Sequence, residues 1–212
     1  MNRLTYSLTL LAFLFGFSAC KKESTEQNVV PDCTNEAYTA PQYSQDQMNL
    51  FINNSIYIDP LVGYGRGEFM IGDTFSLECQ MHWSNLGSWG ANASTTVFFR
   101  KWFPHQDSVS VQQAYDMFAP GAYSFHRAGE NVWVAVRVQF PPSQPSDDDW
   151  HTLNADDPQS SFIVDERSAI FIENGNSLCR LKGRFCCVLH TNSGEAKAAS
   201  GNFSGKMRLN HL

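Results

Sequence analysis

The densest group of chemically capable side chains lies between Ser143 and Pro158, a stretch that carries Asp147, Asp148, Asp149, Trp150, His151, Asp156 and Asp157. Hard cations want several oxygen ligands at once, so Asp147, Asp149, Asp156 and Asp157 are the expected donors if this segment binds calcium. EF-hand spacing and its central glycine are missing, and the plainer expectation is a solvated acidic loop; no other cofactor is implied. Trp89, Trp150 and Tyr64 also fall in expected loops, where rings either stack on a sugar or protein ligand or cover the ends of a core. Glu78 and His82 share one face of an expected strand with Gln80 between them, which suits acid–base or metal chemistry and equally suits a solvated face. VGYGRGEF spaces Gly63, Gly65 and Gly67 like a phosphate loop, yet the strand-like sequence after it offers no helix N-terminus to an anion. G-x-S-x-G, H-E-x-x-H and Walker sequences are absent, so no catalytic residue is assigned. With 15 basic against 21 acidic residues, a formal charge of -6 and no long basic run, the chain has no footprint for a phosphate backbone, and nucleic acid is not an expected partner.

The N-terminus supplies an address. Leu8 to Phe17 is an apolar run preceded by Asn2 and Arg3, the order of a secretory signal, and it is too short to span a bilayer. It ends in Phe17-Ser18-Ala19-Cys20, which resembles the lipobox of bacterial lipoproteins. That resemblance implies cleavage after Ala19 and acylation of Cys20, with each buried methylene contributing about 0.8 kcal/mol to anchoring. The expected organisation is a signal peptide over 1–19, a lipidated N-terminus and flexible tether over 20–37, and one domain over 38–212. Lys21 to Val30 is polar and without hydrophobic period until Val29, as a leash should be. Lys21, rather than Asp, follows the cysteine, which by resemblance to bacterial sorting rules favours the outer membrane. Lys21-Lys22-Glu23 is similar to the surface-export signals of Bacteroidetes lipoproteins, and both the periplasmic and the surface-exposed face stay open. The membrane, reached through lipid, is the first expected partner.

Of the six cysteines, Cys33, Cys79, Cys179, Cys186 and Cys187 remain beside Cys20. They form an odd set in an oxidising compartment, so at least one thiol stays free or pairs outside the chain. No C-x-x-C occurs, and the adjacent Cys186 and Cys187 should point to opposite faces of a strand, which speaks against a zinc pair. Cys79 alternates with Phe75, Leu77, Met81 and Trp83 and reads as core.

The elements that must position these groups are strands. From Tyr38 onward short period-two segments are broken by Gly, Asn, Asp and Pro, the pattern of an antiparallel β domain. Thr74 to Trp83 places Phe75, Leu77, Cys79, Met81 and Trp83 on one side. Asn131 to Phe140 does the same with Val132, Val134, Val136, Val138 and Phe140, and Pro141-Pro142 ends it. Asn174-Gly175 between Ser168–Glu173 and Leu178–His190 predicts a hairpin, because both turn residues tolerate positive φ. Ser200 to Leu209 should complete a C-terminal meander. One segment breaks the period: Ser110 and Gln113 form a capping box opening a two-turn helix from Val111 to Phe118, before Pro120-Gly121. The expected fold is therefore all-β, an antiparallel β-sandwich with one short helix behind a lipidated flexible tether.

Four landmarks carry a family resemblance: the cysteine at Cys20, an early strand near Leu50 to Tyr57 containing Asn53-Asn54, a short helix leading into Pro120-Gly121-Ala122-Tyr123-Ser124-Phe125, and a closing pair built on Gly183-Arg184-Phe185 and Gly201-Asn202-Phe203. Together they resemble the small lipoproteins of unknown function common in Bacteroidetes, with a β-sandwich behind a short leash. The resemblance implies fold and location, and brings no catalytic residues. Asp107-Ser108-Val109 is similar to the O-glycosylation sequon of exported Bacteroidetes proteins. The expected function is an envelope-anchored binding or accessory module for a glycan or an envelope protein. The other expectation is a hydrolase whose site has no linear motif.

Overall fold

The structure, a computed structural model, describes residues 29–39, 46–52, 54–84, 94–126, 129, 131–140, 149–152 and 158–210. In chain order the elements are α1 (Glu36–Thr39), β1 (Gln47–Ile52), β2 (Ser55–Ile71), β3 (Thr74–Trp83), β4 (Ser94–Pro104), α2 (Val111–Asp116), β5 (Gly121–Tyr123), β6 (Trp133–Gln139), β7 (Asp149–His151), β8 (Ser161–Arg167), β9 (Phe171–Glu173), β10 (Asn176–His190) and β11 (Ala196–Arg208).

The fold is all-β, antiparallel and sandwich-like, as the period-two segments require. Its sheet closes on itself. The ladder runs β11-β1-β2-β3-β4-β6-β7-β10, and β10 pairs in turn with β11. β7, β8 and β9 lie one after another along the other edge of β10, and β5 lines β8. Closure gives every strand of that ring two partners, while the short strands β5 and β9 each pair on one side only. Alternation then fills the inside: Trp83, Phe99, Phe162, Phe185 and Phe203 join Met48, Leu50, Leu77, Met81 and Val136 in one core. Phe99 meets Phe118 and Phe162 edge-on with ring centroids 5.0 and 5.5 Å apart, the favoured aromatic geometry.

The two ends differ. At one, the helix end, α2 sits across the core with Val109, Ala114, Met117 and Phe118 buried. Its capping box forms as the sequence predicts, Ser110 accepting from the Gln113 amide while the Gln113 side chain accepts from the Ser110 amide at 2.9 Å. Arg66, on the inner face of β2, locks this end: it donates to the carbonyls of Leu209 and Val109 and pairs with Glu68. At the opposite loop end the chain passes from β1 to β2, β3 to β4, β6 to β7 and β10 to β11.

Several expectations change. A second helical turn, α1, joins the expected one. The strand placed near Leu50 to Tyr57 is two strands, β1 and β2, folded back between Ile52 and Ser55, where Asn54 takes φ 57° in the left-handed region that Asn tolerates. The long acidic loop is interrupted by β7, because Trp150 is pulled inward beside Val138 and drags its neighbours into register between β6 and β10. Packing begins before Tyr38: Pro31 and Ala37 are buried, and Cys33 is disulfide-bonded to Cys186. That bond straps the segment around α1 over the outer face of β10, β11 and β1. Beneath it Asn49 donates to Asn202 at 2.9 Å, and Asn35 donates to Ser200. The hairpin at Asn174-Gly175 forms as expected, with φ of 50° and 77°.

Candidate functional site at the loop end

Of the residues that the sequence nominates, Cys20, Trp89, Asp147, Asp156 and Asp157 lie outside the described residues, and Asp149 opens β7. Trp150 and Tyr64 are not loop residues, contrary to expectation. Trp150 is 2% exposed in the middle of β7, with its ring in the core, so it takes the covering role rather than the contact role. Tyr64 lies within β2, opposite Met81 and half-buried, where the Gly63-Gly65-Gly67 segment continues as strand. The rejected phosphate loop is accordingly a stretch of ladder.

What closes over Trp150 is a cation. Lys197, opposite Leu189 at the start of β11, places Nζ 4.1 Å from the Trp150 ring centroid and 5.9 Å from that of Phe140. This cation–π stack lets a half-buried ammonium sit at the rim of an aromatic core. Nearby, Thr152 ties β7 to β6, its amide donating to Val136 O at 3.0 Å and its hydroxyl accepting from the Val136 amide at 3.1 Å.

On the outer wall just below the rim, the register lines up His82, Thr96, Arg137, His151 and His190 across β3, β4, β6, β7 and β10. Each is half-buried, and the row spans roughly 19 Å at about 4.8 Å per strand. His82 Nδ1 lies 2.8 Å from Thr96 Oγ1, and burial pushes the His82 pKa down, which favours the neutral ring. Glu78 is paired with Arg100 instead of His82, and Arg100 stacks over Trp133 at 4.9 Å. The two residues that shared a face are thus committed to different cross-strand partners.

Asp59 is the group that sequence reading missed most completely. Asp59-Pro60 has the composition of a turn, yet it sits inside β2 opposite Met48, on the inward face and 1% exposed. Its Oδ2 has no hydrogen-bond partner among the described residues, and burial raises its pKa to about 6. The cysteines outside the disulfide are buried, Cys79, Cys179 and Cys187 alike, and burial lifts Cys79 and Cys179 to about 12. Cys186 and Cys187 do part to opposite faces, one into the disulfide and the other into the core. Ser108 of the sequon-like Asp107-Ser108-Val109 is exposed, and Val109 is buried beneath Arg66.

No family profile, curated protein sequence or solved structure matches this chain.

Proposed function

We propose that the chain is a lipid-anchored envelope protein, of the kind its N-terminus and landmarks resemble, that uses its loop end as a binding surface for a glycan or a protein. The observation that supports this reading best is the inequality of the two ends. The helix end is filled by α2 and locked by Arg66, and the interior is occupied by aromatic rings. A ligand is therefore met at the rim or wall, not within. The connections that enter β4 and β7 start from the loop end, and in chain order Trp89 belongs to the first and Asp147 to the second, whereas Asp156 and Asp157 follow β7, which runs away from that end. The wall beneath offers His82, Thr96, Arg137, His151 and His190, side chains able to hydrogen-bond hydroxyl and carboxyl groups.

The strap supports the topology of anchoring. A lipid on Cys20 would pull on Cys33, and the Cys33–Cys186 bond would pass that load to the longest hairpin, β10–β11, rather than to α1. The anchor is tested by feeding labelled palmitate: label should enter the chain and vanish in Cys20→Ala, and unchanged labelling would refute anchoring. The binding reading is tested with purified chain on arrays of envelope glycans and against solubilised envelope proteins. Specific retention that Trp89→Ala abolishes without loss of fold supports it. Retention equal for wild type and variant removes it.

A further inference from the structure

We infer that His151 and His190 form a two-imidazole site for a borderline divalent metal ion of the zinc, nickel or copper class, on the wall below the loop end. The inference goes beyond the binding reading and does not depend on it. The two residues are direct register partners between β7 and β10. Directly opposed side chains in an antiparallel pair have Cβ atoms about 4.5–5.5 Å apart, close enough for two imidazoles to converge. Metal–nitrogen bonds of about 2.0–2.1 Å are compatible with both rings reaching one ion from that Cβ spacing. Both side chains must point outward and alongside each other, because the residues beside them, Trp150 and Leu189, are buried in the core. Both are half-buried, so each is reachable from solvent.

The backbone under the pair is firm. β7 is held to β6 by its ladder and by both bonds of Thr152, and β10 is zipped to β11 along nearly its whole length. A rigid pair loses little freedom on binding, which is what a two-point site needs to be more than a chance meeting of histidines.

The donor set decides the metal. Neutral imidazole suits zinc, nickel and copper, whereas calcium takes oxygen. Among the described residues no third His, Cys, Asp or Glu completes a cluster, and Arg137 stands on the far side of His151. The pair supplies two donors and leaves positions on the ion for water, an incoming ligand or a further donor of the chain. Calcium, the ion that the acidic residues would take if they bind one, is the competitor to exclude.

The test uses the tag-free full chain. Titration with zinc alone should show one saturable site per chain, with calcium and magnesium failing to compete at equal concentration. His151→Gln and His190→Gln should each weaken binding by at least about tenfold, since each removes half of the protein donors. His82→Gln, in the same row but three strands away from His151, should leave affinity unchanged. Copper bound to the wild-type chain should show two coupled nitrogens by electron paramagnetic resonance, a readout that needs no variant to fold. Absence of a saturable site, equal loss in His82→Gln, unchanged affinity in either other variant, or displacement of zinc by calcium would each overturn the assignment.

Discussion

Asp59 sets the clearest expectation at the scale of single residues. Its pKa is raised from 3.8 to about 6 by burial, so the folded chain holds a proton that the unfolded chain has released. Stability should therefore fall as pH rises from about 4 to about 6 and level off above, the total loss being roughly 3 kcal/mol. Asp59→Asn keeps the shape and removes the charge; it should be more stable than wild type at pH 7.5 and lose that slope. Thermal melts between pH 4 and 8 read both effects, and a wild-type Tm that climbs through this window would contradict the burial argument. Trp150 yields the opposite sign. It fills the core under Lys197, so Trp150→Ala should cost about 3–5 kcal/mol and lower Tm by on the order of 10 °C. A variant that melts like wild type would return Trp150 to the surface. Neither residue's place was readable locally. A lone Trp among aspartates and an Asp before Pro both look like loop, and only the partners on neighbouring strands reveal which way they face.

Elements made of long, regular alternation were legible: β3 keeps its expected bounds, and the capping box and Asn-Gly hairpin follow from local chemistry alone. Three-residue strands such as β7 were not, because so short a run carries no period and is held by neighbours on both sides. The closure of the sheet was likewise invisible, since it depends on β11 meeting β1 from opposite ends of the chain. At that seam Gly201 is required: a Cβ there would overlap the Asn49 carbonyl. Gly201→Ala should cost about 3 kcal/mol or more by prying β1 from β11, seen as lost protection of the β1 amides in hydrogen exchange. The strap makes a separate element-scale prediction. Cys33 and Cys186 are 153 residues apart, so the chain-entropy ceiling for their bond is roughly 5 kcal/mol. Cys33→Ser should expose residues 31–39 to protease first and lower Tm, while the core strands stay protected. Simultaneous loss of β3 protection would show that the strap is part of the core.

At the scale of the whole molecule, the proposed function rests on polarity: a filled, closed β fold is locked at its helix end, and the proposed binding surface lies at the other. The measurement that bears most directly on it compares retention of the purified chain on isolated cell envelopes for variants at the two ends. Trp89→Ala combined with Arg137→Ala alters the loop end, and Gln112→Ala combined with Asp116→Ala alters the exposed face of α2. All variants are first matched to wild type by circular dichroism. The account predicts that retention falls several-fold in the loop-end variant and stays at the wild-type level in the α2 variant. Retention lost through α2, or unchanged in the loop-end variant, would contradict it.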